Sequence, residues 1–277
     1  MVDALAPGAV FALPEDCVYC FPSQYPYQGE VFNPVWKGSN CTVPCVMVSP
    51  HGMAMSAPSA SKRVLLFHGN GETLEGARAL ASELATHCGA YVFIVEYPGY
   101  WRPERGEPAA RTAAGAYANA ATATRLLAKS GGPLHLVGYS LGTALAVRIA
   151  KDMGPGTPLA CVQSLTLIAP ICSALGVAAT TPSEGLPPGL RTLLSFMKPL
   201  LSPLDVFCAD RDAPGVNVRS AVVYGSLDEV VNNSQGARMA SLLKTTPLVV
   251  PGENHTSVVG SPSTIAFIRK NIYDSQI

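Results

Sequence analysis

Charged residues are scarce in this chain, since Asp, Glu, Lys and Arg together make up only 14% of its 277 residues. Soluble domains usually carry about a quarter, so the shortfall predicts a large buried interior. The 19 basic and 19 acidic residues balance to a formal net charge of zero, and no basic cluster interrupts that balance. Nucleic acids are negatively charged and bind positively charged protein surfaces. The composition therefore argues against nucleic acid as a partner.

A metal-binding arrangement of cysteines and histidines is also missing. The eight cysteines are scattered, and although Cys17 and Cys20 have CxxC spacing, no histidine pair follows them. Cys41 and Cys45 have a different spacing, and Cys45 sits inside an apolar run. A zinc site needs two pairs at characteristic spacing. We therefore expect no metal and no other cofactor, and reduced thiols of the kind found in cytosolic proteins.

The sequence shows neither a secretory leader nor a membrane-spanning run. Residues 1–5 carry an acid and no basic residue, unlike a signal peptide. Residues 153–183 contain no charge, but four prolines interrupt them. Their apolar core is shorter than the ~20 residues that a spanning helix needs. We expect a cytoplasmic protein, and the sequence leaves peripheral attachment to membranes open.

The chain does contain an alternation of short apolar runs and longer helical stretches. Nearly continuous runs such as Val64-Leu65-Leu66-Phe67 indicate strands buried on both faces of a parallel sheet. This alternation predicts an α/β fold with a mostly parallel, doubly wound sheet. Predicted strands cover residues 45–48, 63–67, 91–96, 134–137, 164–168, 219–224 and 246–250, and predicted helices cover 72–87, 109–130, 141–152, 233–244 and 262–271.

One stretch, residues 171–206, breaks the alternation. We interpret residues 1–277 as a single domain, with a lead-in at 1–44 and an insertion at 171–206. Within the insertion, leucines and a methionine recur every three or four residues, which predicts an amphipathic helix. This helix either packs on the core or forms a short helical cap over the substrate. In the second case Leu193 and Met197 would contact the substrate.

The motif Gly138-Tyr139-Ser140-Leu141-Gly142 lies between a predicted strand and a predicted helix. A nucleophilic serine needs a tight, strained turn that projects its oxygen above the sheet, and flanking glycines leave room for that turn. The helix that follows points N–H groups at the site, which favours developing negative charge. We therefore predict that Ser140 is a nucleophile, with Tyr139 beside the substrate.

A base must take the proton of the serine hydroxyl, which is otherwise a weak nucleophile. His255 follows the last predicted strand, in a loop suited to reaching over the sheet edge, and is the predicted base. His135 lies inside a strand and is expected to be buried. His87 ends a helix, and His68 belongs to a loop in which we expect it to be structural.

The acid that orients the histidine should fall between the serine and the histidine along the chain. Asp228 comes just after the predicted strand 219–224 and is the best placed. Asp205 and Asp210 in or near the insertion, and the neighbouring Glu229, are the alternatives. The acid would hold the tautomer of the imidazole and stabilise the imidazolium.

An oxyanion hole is the remaining requirement of acyl transfer. One donor should be the backbone N–H of Leu141, directly after the nucleophile. The second should come from His68-Gly69-Asn70-Gly71, the loop after the strand 63–67. We predict the Asn70 N–H, with Gly71 as the alternative.

These motifs, in this order, resemble the depalmitoylase-like branch of the alpha/beta-hydrolase-domain proteins. The resemblance covers most of the chain and is carried by Phe11-Ala12-Leu13-Pro14, Phe67-His68-Gly69-Asn70, Glu96-Tyr97-Pro98-Gly99-Tyr100, the Ser140 motif, Leu204-Asp205-Val206-Phe207, Gly225-Ser226-Leu227-Asp228-Glu229-Val230 and the His255 loop. It implies an α/β-hydrolase fold and hydrolysis of an acyl ester or thioester, with an acylated protein among the implied substrates.

Two other functions stay open. The same motifs are similar to the prolyl-oligopeptidase clan, which implies a serine peptidase. A non-catalytic scaffold that binds a ligand is the other, but such proteins usually lose a member of the serine, histidine and acid set, and all three are present here. A dehalogenase or an epoxide hydrolase would need aspartate at position 140, so Ser140 argues against both.

Overall fold

The computed structural model describes residues 37–38, 41–42, 45–48, 50, 62–72, 74–97, 113–129, 132–157, 160–174, 176–177 and 207–274. Within them, nine strands are β1 (Lys37–Gly38), β2 (Cys41–Thr42), β3 (Cys45–Val48), β4 (Arg63–Phe67), β5 (Tyr91–Val95), β6 (Leu134–Tyr139), β7 (Val162–Ile168), β8 (Arg219–Gly225) and β9 (Leu248–Val250). β1 and β2 form a small antiparallel pair. The other seven form one sheet in the order β3-β5-β4-β6-β7-β8-β9.

The large sheet is mostly parallel, as predicted. Every neighbouring pair from β5 to β9 runs parallel, and only the edge strand β3 runs antiparallel to β5. All residues of β4 and β6 are buried, because helices cover both faces of the sheet. This burial explains the nearly continuous apolar runs that a parallel sheet requires.

The described helices form two layers. They are α1 (Leu74–Cys88), α2 (Ala113–Lys129), α3 (Gly142–Met153), α4 (Ala209–Asp212), α5 (Asn233–Leu242), α6 (Ser257–Gly260) and α7 (Pro262–Asp274). Apolar residues of α1, α6 and α7, such as Leu84, Val258 and Ile268, pack into one core. α2, α3, α4 and α5 pack into the second core, which contains Ile149 and Met239. The sheet therefore lies between two apolar layers, which is the doubly wound arrangement.

All seven strands and five helices predicted from the sequence are confirmed, with ends that differ by a few residues. The last strand is shorter than predicted because Pro247 has no N–H to donate to a ladder, and β9 begins one residue later. The helices α4 and α6 were not predicted, because four residues are too few to show a 3.6-residue period. The helix predicted in the 171–206 insertion lies outside the described residues.

Parallel strands end at the same edge of a sheet, and this edge brings distant loops together. β4, β6, β8 and β9 are each followed by a loop at their carboxyl ends. These loops carry the residues that the sequence singled out. In open α/β sheets this edge is where ligands bind.

Candidate active site

The turn between β6 and α3 holds Ser140 in a strained conformation. Its φ is 50°, in the left-handed region that residues with a Cβ rarely adopt. Two backbone hydrogen bonds fix the turn: the Ser140 N–H donates to Ile168 O at 3.0 Å, and the Thr143 N–H donates to Ser140 O at 3.0 Å. The Thr143 hydroxyl also donates to Ser140 O at 2.5 Å. The strained turn predicted for a nucleophilic serine is therefore present.

The two glycines of the motif are required by close packing. A Cβ at Gly138 would lie 2.8 Å from both Gly142 O and Thr143 Cα. A Cβ at Gly142 would lie 2.1 Å from the carbonyl oxygen of Phe67, the last residue of β4. Any larger residue would push the turn away from the neighbouring strand, so the motif is set by backbone-to-backbone contact.

The structure brings Ser140, His255 and Asp228 into one hydrogen-bonded row. His255 Nε2 lies 3.1 Å from Ser140 Oγ, and His255 Nδ1 lies 2.8 Å from Asp228 Oδ2. A carboxylate only accepts, so Nδ1 carries the proton of a neutral imidazole and Nε2 is left to accept from the serine hydroxyl. Asp228 is almost fully covered, with 1% of its side chain exposed, and water therefore does not compete for Nδ1.

The carboxylate of Asp228 is itself held in place. Its Oδ1 accepts from the N–H groups of Val230 at 3.0 Å and Val231 at 2.8 Å. The alternative acids do not reach His255 in this way: Asp210 pairs with Arg238 at 3.1 Å, and Glu229 is exposed. Asp205 lies outside the described residues. Of the described candidates, only Asp228 contacts the imidazole.

The loop that carries His255 packs against the loop that carries Asp228. The Leu227 N–H donates to Glu253 O at 2.9 Å, and a Cβ at Gly225 would lie 2.2 Å from that oxygen. The Asn254 side chain accepts from the N–H groups of Thr256 at 3.0 Å and Ser257 at 2.9 Å. These contacts fix His255, which is buried.

Tyr139 lies at the junction of three loops. Its hydroxyl donates to His255 O at 3.2 Å, and its ring centroid is 5.3 Å from that of His255. A Cβ at Gly69 would lie 2.9 Å from the Tyr139 ring. Burial raises the pKa of Tyr139, and the negative charges of Glu72 and Asp228 raise it further, so the hydroxyl stays a donor. Contact between Tyr139 and substrate stays a prediction.

The loop after β4 is closed by Glu72. The Gly69 N–H donates to Glu72 Oε2 at 2.9 Å, and the Glu72 N–H donates back to Gly69 O at 3.4 Å. Gly71 adopts a φ of 74°, and the Asn70 side chain is exposed. Leu141 is the residue before α3, directly after Ser140. The oxyanion role of the Asn70 and Leu141 N–H groups stays a prediction.

His68 is the first residue of this loop and is fully buried. Its Nε2 lies 3.1 Å from Glu96 Oε1, and its Nδ1 lies 3.0 Å from Gly69 O. Burial alone would lower the pKa of His68, but the hydrogen bond and charge of Glu96 outweigh it and raise that pKa. This partner was not predicted from the sequence. The available signal was a charged residue directly after the buried strand β5.

Two of the predicted substrate contacts, Leu193 and Met197, lie outside the described residues. In the described part of the chain, no group of three or more His, Cys, Asp and Glu side chains is arranged to hold a metal ion. No helix among the described residues is long and apolar enough to cross a membrane.

Comparison with known proteins identifies relatives at the level of family and fold. The family described as "Alpha/beta hydrolase family" matches residues 64–250. No curated protein matches the chain. Among solved structures, the hyperthermophilic esterase of the archaeon Pyrobaculum calidifontis is similar over 91% of this chain and 86% of its own, with a TM-score of 0.60 and 19% identity.

Two further structural neighbours act on lipids according to their names. The monoacylglycerol lipase of Paleococcus ferrophilus covers 84% of this chain and 98% of its own, with a TM-score of 0.54 and 18% identity. A bacterial membrane phospholipase A covers 85% of this chain and 83% of its own, with a TM-score of 0.58 and 15% identity. At these identities the likeness shows a shared fold.

Proposed function

The chain belongs to the alpha/beta hydrolase family, and from this premise we propose that it is a serine hydrolase that cleaves acyl esters. Ser140 is the proposed nucleophile, His255 the general base and Asp228 the acid that orients it. The observation that carries the proposal is the continuous row from Ser140 Oγ through His255 to Asp228, with contacts of 3.1 and 2.8 Å. Nucleophile, base and orienting group in hydrogen-bond contact are what covalent acyl transfer requires.

The first half of the reaction forms an acyl-enzyme. Ser140 Oγ attacks the carbonyl carbon of the ester while His255 Nε2 takes the hydroxyl proton. The tetrahedral intermediate collapses as the bond to the leaving oxygen breaks, and the proton on Nε2 passes to that oxygen. An alcohol leaves, and Ser140 remains acylated.

The second half repeats these steps with water. His255 Nε2 takes a proton from water as the water oxygen attacks the acyl carbon, and then returns the proton to Ser140 Oγ. The carboxylic acid leaves, and the free hydroxyl is restored. Asp228 stays ionised throughout and stabilises the imidazolium that forms twice in each cycle.

The negatively charged oxygen of each tetrahedral intermediate must be stabilised by hydrogen-bond donors. We assign this role to the backbone N–H groups of Leu141 and Asn70, which sit on rigid supports. Leu141 follows a turn fixed by two backbone hydrogen bonds, and the loop of Asn70 is closed by Glu72. Removal of one such donor from an oxyanion hole typically costs a factor of about 10² to 10³ in kcat.

Esters of fatty acids are the proposed substrate class. The structural neighbours include an esterase, a lipase and a phospholipase, and the amphipathic helix expected at 171–206, with Leu193 and Met197, would supply an apolar wall. A thioester differs only in its leaving sulfur, so removal of a fatty acyl group from a protein cysteine uses the same steps. The depalmitoylase-like resemblance favours this second substrate.

Hydrolysis of p-nitrophenyl esters from acetate to palmitate tests the proposal. Ser140→Ala should abolish turnover, whereas Ser220→Ala, which removes a hydroxyl from the opposite end of β8, should retain it. Rates that rise toward longer chains would support the fatty acyl preference. Ester turnover that persists in Ser140→Ala would refute the role of Ser140 as the nucleophile. Turnover of dipeptide substrates but not of esters would favour the serine peptidase alternative.

A further inference from the structure

The proposed reaction leaves one buried pair of ionisable groups unused. His68 and Glu96 are both 0% exposed, and His68 is the first residue of the loop that carries Asn70. Burial of two such groups is costly unless each is fully hydrogen-bonded.

Both ring nitrogens of His68 face groups that accept hydrogen bonds. Nδ1 is 3.0 Å from the carbonyl oxygen of Gly69, and Nε2 is 3.1 Å from a carboxylate oxygen of Glu96. A neutral imidazole has one N–H and can satisfy only one of these acceptors. The two contacts are satisfied together when both nitrogens carry a proton, that is, when the ring is an imidazolium.

The surroundings of Glu96 fit an ionised carboxylate. Its Oε1 also accepts the N–H of Tyr97 at 3.0 Å, so one oxygen receives two donors. The Asn119 side chain donates to Glu96 O at 3.1 Å and holds the backbone. An imidazolium at His68 and a carboxylate at Glu96 would attract each other strongly here, because both side chains are fully buried away from water.

We propose that His68, held as an imidazolium by Glu96, is a positioning residue that fixes the loop of Asn70 for oxyanion binding. The inference rests on the proposed function, since it concerns the same site. Loss of the Nδ1 proton would leave Gly69 O with only the longer contact of 3.4 Å from the Glu72 N–H, and Gly69 is bonded to Asn70. The loop would then move away from the geometry in which the Asn70 N–H meets the oxyanion.

Movement of this loop would also reach the nucleophile. The Tyr97 hydroxyl donates to His68 O at 2.7 Å, and its ring stacks on the His68 ring at 4.1 Å. A Cβ at Gly142 would lie 2.6 Å from His68 O, so the loop backbone touches the Ser140 turn. A displacement of about 1 Å in a catalytic site can cost about 10²-fold in rate.

The charges that face His68 determine the direction of its pH dependence. Glu96 approaches from the end of β5, and Glu72 acts from the loop before α1. Tyr97 and Tyr139 are the other titratable groups packed on this loop among the described residues. Both carboxylates favour the charged ring and raise its pKa, so the positioning effect is lost as the pH rises through the His68 pKa.

The pH profile of kcat tests the proposal with a matched pair of variants. His68→Gln cannot titrate and should lower kcat about 10- to 100-fold, with a smaller change in KM. The wild type should show a fall in kcat at alkaline pH, and His68→Gln should lack this alkaline fall. Glu96→Gln keeps an acceptor but removes the charge, so the alkaline fall should move to lower pH. His87→Gln, at an exposed His–Glu pair on α1, is the control and should match the wild type.

Nitrogen NMR of the 277-residue chain separates this inference from the proposed function. ¹⁵N-labelled imidazole signals assigned through His68→Gln should show protons on both nitrogens of His68 at pH 7, and on one only in Glu96→Gln. A single protonated nitrogen in the wild type would overturn the inference, as would an alkaline fall in kcat that Glu96→Gln leaves in place. Failure of the proposed function would appear separately, as ester turnover that does not depend on Ser140.

Discussion

Acid should destabilise this protein through His135, which lies in the middle of the sheet. The ring is 0% exposed, and its Nδ1 pairs with Ser164 Oγ at 2.8 Å. Its Nε2 has no hydrogen-bond partner among the described residues. Burial, together with the positive charges of Lys62 and Arg63, lowers the pKa of His135 from 6.5 to about 4.

The sign and size of the effect follow from linkage. As the pH falls below 6.5, His135 becomes protonated in the unfolded chain but stays neutral in the folded protein. The free energy of unfolding therefore decreases until the pH reaches the folded-state pKa of about 4. A difference of about 2.5 pH units, at about 1.36 kcal/mol each, corresponds to about 3 kcal/mol. The loss is about a third of the stability of a typical domain.

Urea unfolding at pH 7 and pH 4 measures this loss. His135→Gln removes the titration, so its stability should fall between the two pH values by about 3 kcal/mol less than that of the wild type. His87→Gln removes an exposed histidine from α1 and should keep the wild-type difference. If the wild type and His135→Gln lost equal stability between pH 7 and pH 4, the proposed low pKa of the buried His135 ring would be refuted.

Three further substitutions test the site. Asp228→Asn should lower kcat about 10⁴-fold by favouring the wrong tautomer of the base, while Glu229→Gln, at an exposed carboxylate, should leave ester turnover near the wild-type rate. Thr143→Val should cost about 1–3 kcal/mol in urea unfolding, because the buried Ile171 N–H loses its acceptor at 3.2 Å, whereas Thr143→Ser should restore it. Gly142→Ala should prevent soluble folding because its Cβ would lie 2.1 Å from a backbone oxygen, and Gly260→Ala, with open space around it, should fold normally and keep its melting temperature.

The fold was predictable because its signals are local. A strand buried on both faces is a short apolar run, and a helix on the sheet shows its period within a few turns. β4 and α3, for instance, were predicted within one residue of their ends. The helices α4 and α6 were missed because they are shorter than the pattern that identifies a helix.

The Ser140 turn was predictable for the same reason, since its glycines, strand and helix are adjacent along the chain. The positions of Asp228 and His255 followed from chain order after strands that end at one edge. The sequence favoured Asp228 by its place after a strand but left Asp205, Asp210 and Glu229 as alternatives, because carboxylates in nearby loops look alike in sequence. The choice depends on which oxygen lies 2.8 Å from His255 Nδ1.

The pairing of His68 with Glu96 was decided by tertiary structure alone. The two residues are 28 positions apart and meet because β4 and β5 are neighbours in the sheet. The same is true of Thr143 and Ile171, which β6 and β7 bring together. Residue types and spacing determined what this site is made of, whereas strand order determined which buried groups support it, because contacts between distant segments exist only once the strands have paired.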